Sequence, residues 1–293
     1  MELLTQCPVC NSGKLESFLT CNDHFLTKNQ FTIVKCLDCS LKFTNPRPEA
    51  NQLGAYYKSN EYISHSNSKK GLFNQVYQKI RKYTIHKKYK LISRNSTSGT
   101  ILDIGCATGE FLHYMKSRNW KTLGIEPDEN ARKSAILNYQ LEVFDESYLE
   151  QIPTGSIDVV SMWHVLEHVA NLQQRMISIK RLLKPGGLLL IAVPNPESYD
   201  AFIYQSFWAG YDVPRHLYHF SPQSIAKLLT LNEFKLAGTK PMKFDSFYVS
   251  LLSEKYMNGK MNWIRSGWIG ICSNFKAIKT GNYSSLIYLS KKD

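Results

Sequence analysis

No stretch of the 293 residues approaches 18 uninterrupted apolar positions, and the opening MELLTQCPVC lacks a basic segment followed by an apolar one. A hydropathy reading therefore finds neither a spanning helix nor a secretory leader, and the expectation is a cytoplasmic protein. Acidic residues are missing from two segments: 69–94, which holds nine Lys and Arg, and 262–279. A dispersed disulfide framework is also missing. Four of the seven cysteines fall in Cys7-Pro-Val-Cys10 and Cys36-Leu-Asp-Cys39, a spacing that suits a metal in a reducing compartment. A redox-active pair would need a thioredoxin-like context, which these cysteines do not have. The glycine loop at 105–109 reads G-C-A-T-G and not G-x-G-x-x-G, so the fingerprint that seats a pyrophosphate on a helix start is excluded.

That loop nevertheless carries the strongest local signal. Ile101, Leu102 and Ile104 suit a strand buried on both faces and lead to Asp103 and the loop Gly105–Gly109. From Glu110 on, Phe111, Leu112 and Met115 share one side of a helix. Gly105 and Gly109 let the backbone approach a ligand closely, with Cys106 packed between them, and ligands of open α/β sheets sit at this end of the strands. The next strand ends in GIEPD, which puts Glu126, with Pro127 beside it, where a carboxylate accepts from both hydroxyls of a ribose. The loop suits a nucleoside without phosphates.

A β/α cadence continues: strands at about 100–104, 121–125, 141–144, 157–161 and 187–193 alternate with helices at about 109–117, 128–138 and 171–183. Ser221 and Pro222 read as N-cap and first residue of a helix over 222–231. FKLAGTKP, FYVSLLSEKY and SSLIYLSKK read as strands, the last two as the antiparallel pair that closes the sheet. Division of the chain at 46 and 98 gives a ribbon at 1–46, an aromatic and basic helical arm at 47–98, and a nucleoside-binding domain at 99–293.

With these blocks in place, ILDIGCATGEF at 101–111, SIDVVSMWHVLEHV at 156–169, LLKPGGLLLIAVPN at 182–195 and DVPRHLYHFSPQSI at 212–225, the chain resembles the class I S-adenosylmethionine-dependent methyltransferases, in the small-molecule branch with a leading zinc segment. The resemblance implies an α/β Rossmann-like sheet, mostly parallel with an antiparallel last strand, behind a small zinc ribbon. It implies S-adenosylmethionine as methyl donor, held by Asp103, Gly105, Cys106, Gly109, Glu126 and Pro127. Asp145 would meet the adenine amino group, Met162, Trp163 and His164 would border the methionine part mainly through backbone atoms, and an aromatic arm with Tyr57 and Tyr62 would close over the donor.

Two C-x-x-C knuckles, Cys7 with Cys10 and Cys36 with Cys39, complete a closed tetrahedral Zn(II) shell, which is structural. For chemistry the resemblance points to His216 as the base that removes a proton from the acceptor. Asn195, Tyr211, Asp212 and Arg215 would line the acceptor side. The resembled sugar methyltransferases carry an acid where this chain has Arg215, a departure that opens O-methylation beside C-methylation.

Charge is uneven: 15 basic against 6 acidic residues in 1–99, 12 against 15 in 100–239 and 9 against 3 in 240–293. The basic segment 69–94 places Leu72, Val76, Ile80 and Tyr83 on one helical stripe, and it suits packing on the sheet or contact with an anionic membrane or phosphorylated substrate. Segment 262–279 reads as a helical insertion over the acceptor pocket or as a lipid-facing flap. The expected acceptor is a small molecule: a sugar, quinone, polyketide-like or lipid-linked compound. The alternative is an RNA methyltransferase that uses the ribbon and basic helix to hold the phosphate backbone. Against it, MWHV stands where enzymes acting on base amino groups carry an N/D-P-P-Y/F tetrapeptide.

Overall fold

The computed structural model describes residues 1–57 and 72–292, with side chains described from residue 78 in the second stretch. In chain order the strands are β1 (Leu15–Asn22), β2 (Gln30–Cys36), β3 (Lys42–Thr44), β4 (Thr100–Ile104), β5 (Lys121–Ile125), β6 (Glu142–Phe144), β7 (Ile157–Trp163), β8 (Leu183–Pro194), β9 (Tyr218–His219), β10 (Phe234–Pro241) and β11 (Ser285–Lys292). The helices are α1 (Leu72–Ser93), α2 (Glu110–Lys116), α3 (Glu129–Tyr139), α4 (Leu172–Leu182), α5 (Tyr199–Tyr204), α6 (Pro222–Leu231), α7 (Asp245–Asn258) and α8 (Trp263–Thr280).

These elements form two compact units that interleave in sequence. Unit 1 takes the described residues of Met1–Ser59, His164–Met176 and Ile191–Ser290, and unit 2 those of Asn60–Trp163, Ile177–Leu190 and Lys291–Asp293. The sequence reading divided the chain at 46 and 98, because local composition does not show that β9 returns to pair with β3.

A seven-stranded sheet runs in the order β10-β11-β8-β7-β4-β5-β6. Within unit 2, β4 pairs in parallel with β5 and with β7, and β5 with β6. This is the Rossmann-like arrangement expected from strands whose residues are apolar on both faces: Ile101, Leu102, Val159 and Val160 are fully buried. The parallel order sends the carboxyl ends of β4, β5 and β7 the same way, so the loops after them share one edge.

Unit 1 holds a four-stranded antiparallel sheet, β1-β2-β3-β9, and the strands β10 and β11 with the second half of β8. Its core gathers Phe31, Ile33, Tyr204, Trp208, Tyr211 and Val213. Helix α6 starts as the sequence indicates: Ser221 caps it, its side chain accepting from the Ser224 amide, with Pro222 in the first turn.

Two expectations are corrected. FYVSLLSEKY is not a strand but the body of α7. Ser246, Ser250, Leu251, Ser253 and Glu254 are buried along it, a helical spacing in which serines supply most of the covered face, so no apolar period betrays it. β11 takes its place beside β10 and β8. On α1, Tyr83 is 48% exposed and thus leaves the expected packing stripe, whereas Ile92 is fully buried. Leu72 and Val76 lie outside the described side chains, and no described helix is long and apolar enough to cross a membrane.

Candidate functional site

The donor-loop residues all belong to unit 2. Gly105 and Gly109 adopt positive φ, 74° and 84°, which a side chain would resist. Space makes the second glycine doubly necessary, since a Cβ there would come within 2.7 Å of Leu141 and 2.9 Å of Ala135. The loop is tied to the strand edge by Gly105 and Cys106, whose amides both donate to the Ile125 carbonyl at 2.7 and 3.1 Å.

Glu126 closes this loop. One carboxylate oxygen accepts from the Ala107 amide at 2.8 Å and the other from the Asp128 amide at 3.0 Å. Each oxygen therefore keeps a second lone pair, which is the capacity that two vicinal hydroxyls require. Burial raises the Glu126 carboxyl above its usual range, against the two amides that favour its charge. Asp103, 2% exposed, accepts from the Ser161 hydroxyl, and burial pushes it up to about 7. Asp145 lies at the end of β6 and caps the turn that follows through the Ser147 amide.

Met162 is fully buried at the end of β7, and the next ring, Trp163, packs edge-on to Phe111. The Lys88 ammonium lies 4.1 Å from the Trp163 ring centre, and the buried indole N–H has no acceptor among the described residues. An orphaned donor beside positive-φ glycines and a carboxylate with free lone pairs fits a nucleoside carrying polar groups. Lys88 was not singled out from the sequence, where it is one of nine cations in a basic run. Tyr62 lies outside the described residues.

The other candidates belong to unit 1, where the structure sets them in two groups. Arg215, 1% exposed, donates to Asp212 at 2.6 Å and to Asp23 at 3.1 Å and lies over the Phe25 ring. It is thus a buried, doubly paired guanidinium that braces the loop, and truncating it would strand two carboxylates. Asp23 lies 192 positions away in sequence, and no local signal finds it. Tyr211 is buried edge-on against Trp208 and His219. The Asn195 amide group donates to the Tyr283 carbonyl at 3.1 Å and is fully buried. Arg215, Tyr211 and Asn195 are therefore held by the protein's own groups.

His216 is placed differently. Its Nδ1 sits 2.8 Å from the Gly210 carbonyl, and a carbonyl only accepts, so Nδ1 carries the proton and Nε2 presents the lone pair. The rings of His168 and His216 meet edge-on at 4.6 Å. His168 directs Nδ1 to the Arg215 carbonyl at 3.1 Å and to the Tyr57 hydroxyl at 2.8 Å, and burial together with the nearby His216 holds it down to about 4, hence neutral. Glu167, fully buried, lies beside them, with its Oε1 3.4 Å from His164 Nδ1. Glu167, His168 and His216 offer three ligand atoms within 4.8 Å of one another. The sequence shows Glu167 only as a neighbour of its histidines, and the i, i+1 pairing with His168 was its one signal.

His164 adopts φ 57° and turns its ring between Asp245, 3.0 Å away, and Glu167, 3.4 Å away. Its amide donates to the Ala192 carbonyl, so a ligand could use only its carbonyl. Burial opposes the imidazolium, but the Asp245 and Glu167 carboxylates overcome it and hold His164 at about 10. The folded protein thus retains a proton that the unfolded chain releases near 6.5. That contribution to stability is complete below pH about 6.5 and declines as pH rises towards 10. Asp245→Asn should flatten this decline, read as a smaller difference in thermal midpoint between pH 6 and pH 9 than in the parent; an unchanged difference would remove His164 as its source.

The four cysteines converge in unit 1: Cys7 and Cys39 sulfurs are 3.5 Å apart, Cys10 and Cys36 sulfurs 3.6 Å, and all four lie within 4.8 Å of one another. Cys21 and Cys106 are buried elsewhere. A cavity of about 660 Å³ beside residues 2–8 and 170–173 has its buried cation, Arg47, already bonded to Glu2 and Tyr218.

A family model described as a methyltransferase domain matches residues 77–237. A ubiquinone biosynthesis O-methyltransferase of Rickettsia typhi is 27% identical over 203 residues, 64% of this chain and 82% of that protein. Its counterpart in Dechloromonas aromatica is 26% identical over 174 residues, 55% of this chain and 72% of that one. Among solved structures, a Galdieria sulphuraria protein provisionally named a sarcosine dimethylglycine methyltransferase shares 13% identity, with 72% of this chain and 84% of that one covered, at a TM-score of 0.50.

Proposed function

The chain belongs to the methyltransferase-domain family, as a class I S-adenosylmethionine-dependent enzyme, and from that premise we propose that it methylates a hydroxyl of a small quinone-type acceptor, with His216 as general base and a structural zinc in unit 1. Bound S-adenosylmethionine supplies an electrophilic methyl group on a sulfonium. The chain's residues bind, orient and move a proton. In unit 2, Gly105 and Gly109 admit the donor against the backbone, and Glu126 accepts from the ribose hydroxyls through the lone pairs that its two amide contacts leave free. Asp145 is the acceptor for the adenine amino group, and the Trp163 N–H finds the acceptor that no described residue gives it.

In unit 1, His216 takes the proton of the acceptor hydroxyl at Nε2 as its oxygen becomes the nucleophile. The observation that carries this role is the Nδ1 contact to Gly210, which fixes the tautomer in which Nε2 is basic. Glu167 then lies where an imidazolium would need a counter-charge, a function performed in other enzymes by an acid beside the base. Hydroxyl methylation follows from a histidine base and from the names of the relatives, which are O-methyltransferases of ubiquinone biosynthesis. An acid is missing at position 215, where the guanidinium is committed to Asp212 and Asp23.

The cysteine set fits zinc by its chemistry and spacing. Zn–S bonds of about 2.3 Å in a tetrahedron separate sulfurs by about 3.8 Å. The observed 3.5 and 3.6 Å are close to that value.

The donor assignment is tested by calorimetry with S-adenosylmethionine and S-adenosylhomocysteine. Glu126→Gln keeps the shape but removes charge from both ribose contacts, so affinity should drop about 10- to 100-fold, the weight of a charge-assisted hydrogen bond or two. Equal binding by parent and variant would place the ribose elsewhere.

A further inference from the structure

Helix α8 is packed the wrong way round for a globular protein. Its covered face is made of Ser266, Ile269, Gly270, Ser273 and Ala277, mostly small residues. Its outer face carries Ile264, Trp268, Ile271, Phe275 and Ile278, which are 87, 66, 54, 70 and 68% exposed. These five recur at intervals of four, three, four and three, one continuous stripe along about 21 Å of helix. The small face explains the packing: Ser246 of α7 donates to the Gly270 carbonyl at 3.2 Å, and a Cβ at Gly270 would come within 2.6 Å of Phe247. Close approach of α7 and α8 turns every large apolar side chain of the stripe outward. Solvent-facing apolar stripes of this length mark a surface made to be covered.

We infer that this stripe lies in the interfacial region of an anionic lipid bilayer, with α8 parallel to the membrane plane. Charge selects that occupant. No Asp or Glu occurs between Lys255 and Lys292, and although Arg265 is paired with the buried Glu254 at 3.2 Å, Lys260, Lys276 and Lys279 lie on or beside the helix. A second copy meeting the same face about a two-fold axis would bring like cations together, whereas anionic head groups neutralise them. The helix does not cross the membrane, since its apolar character is confined to one side and no described helix qualifies as a span. Tryptophan, phenylalanine and isoleucine on one face with lysine at the margins is the composition of helices that lie on membranes. The inference stands independently of the donor and base assignments, because it uses none of their residues.

The test is co-sedimentation of the full chain with vesicles of phosphatidylcholine alone and of phosphatidylcholine with phosphatidylglycerol. The protein should bind the anionic vesicles about tenfold or more tightly over the neutral ones, with the margin shrinking in high salt. Trp268→Ser with Phe275→Ser should reduce that binding about tenfold while the thermal midpoint, the circular dichroism spectrum and S-adenosylmethionine affinity stay near those of the parent, which together show that both units are folded. Brominated lipids should quench the tryptophan fluorescence of the parent and quench the Trp268→Ser variant less. Absence of vesicle binding, binding that ignores the α8 variant, or an α8-dependent dimer that excludes vesicles would each overturn the assignment.

Discussion

A Cys7→Ser, Cys39→Ser double variant is expected to lose the proposed zinc and, with it, the antiparallel sheet of unit 1. The reason lies in what the cysteines hold. Cys7 and Cys10 fix the turn ahead of β1, Cys36 ends β2, and Cys39 sits in the turn that leads to β3. Removal of two ligands leaves an incomplete shell, and structural zinc sites contribute about 10–16 kcal/mol of binding free energy that becomes folding free energy. Cys7, Cys36 and Cys39 are almost wholly buried, so the two serine hydroxyls would be left in a site closed to water.

The effect should reach the proposed base, His216, as well. β3 pairs with β9, and the Thr44 hydroxyl donates to the His216 carbonyl at 2.8 Å, both within unit 1. Turnover should therefore collapse on metal loss, whereas S-adenosylmethionine binding by the β4–β7 loops of unit 2 should survive. Metal analysis of the parent should give one zinc per chain, with thermal melts and calorimetry on both proteins. A parent that folds and turns over with no zinc bound would sink the assignment.

His216→Gln carries the second large effect. Glutamine fills similar space and keeps polarity but has no basic lone pair, so the acceptor hydroxyl must ionise unaided. General-base removal of this kind costs about 10²- to 10⁴-fold in kcat. Donor affinity should stay within about twofold of the parent, since a group that acts in the transition state leaves ground-state binding alone. A structural role predicts otherwise: a lowered melting temperature and loss of binding together with rate. Added imidazole should restore part of the activity of His216→Ala, which a merely bracing histidine would not permit. A His216→Gln enzyme with near-parental kcat would transfer the role of base to another group.

The donor half of the site was legible because its determinants are local. Glycines at 105 and 109, the acid at 126 and the apolar run before them all serve one strand, one loop and the next strand end, and positive φ at both glycines follows from that loop. The paired cysteine knuckles were legible for the same reason. The part of the candidate site around His216 was legible only in part. DVPRHLYHF marks His216, but the Gly210 carbonyl beside its Nδ1 depends on the loop's path, and Glu167 and His168 precede β8 in the chain whereas His216 follows it. Arg215 was read as an acceptor residue, and its commitment to Asp23 could be seen only once β1 and the turn after it were in place.

By itself, then, the sequence determined the β/α order, the glycine loop after β4, the grouping of four cysteines and the Ser221 cap, all of which rest on patterns a few residues long. Tertiary structure decided that FYVSLLSEKY is helical, that Arg215 is a buried brace, and that α8 turns its large apolar face outward. Periodicity states which residues share a helix face but not which face a neighbour covers. In α8 the serine and glycine face permits the closer approach to α7, and packing chose it over the face with more hydrocarbon.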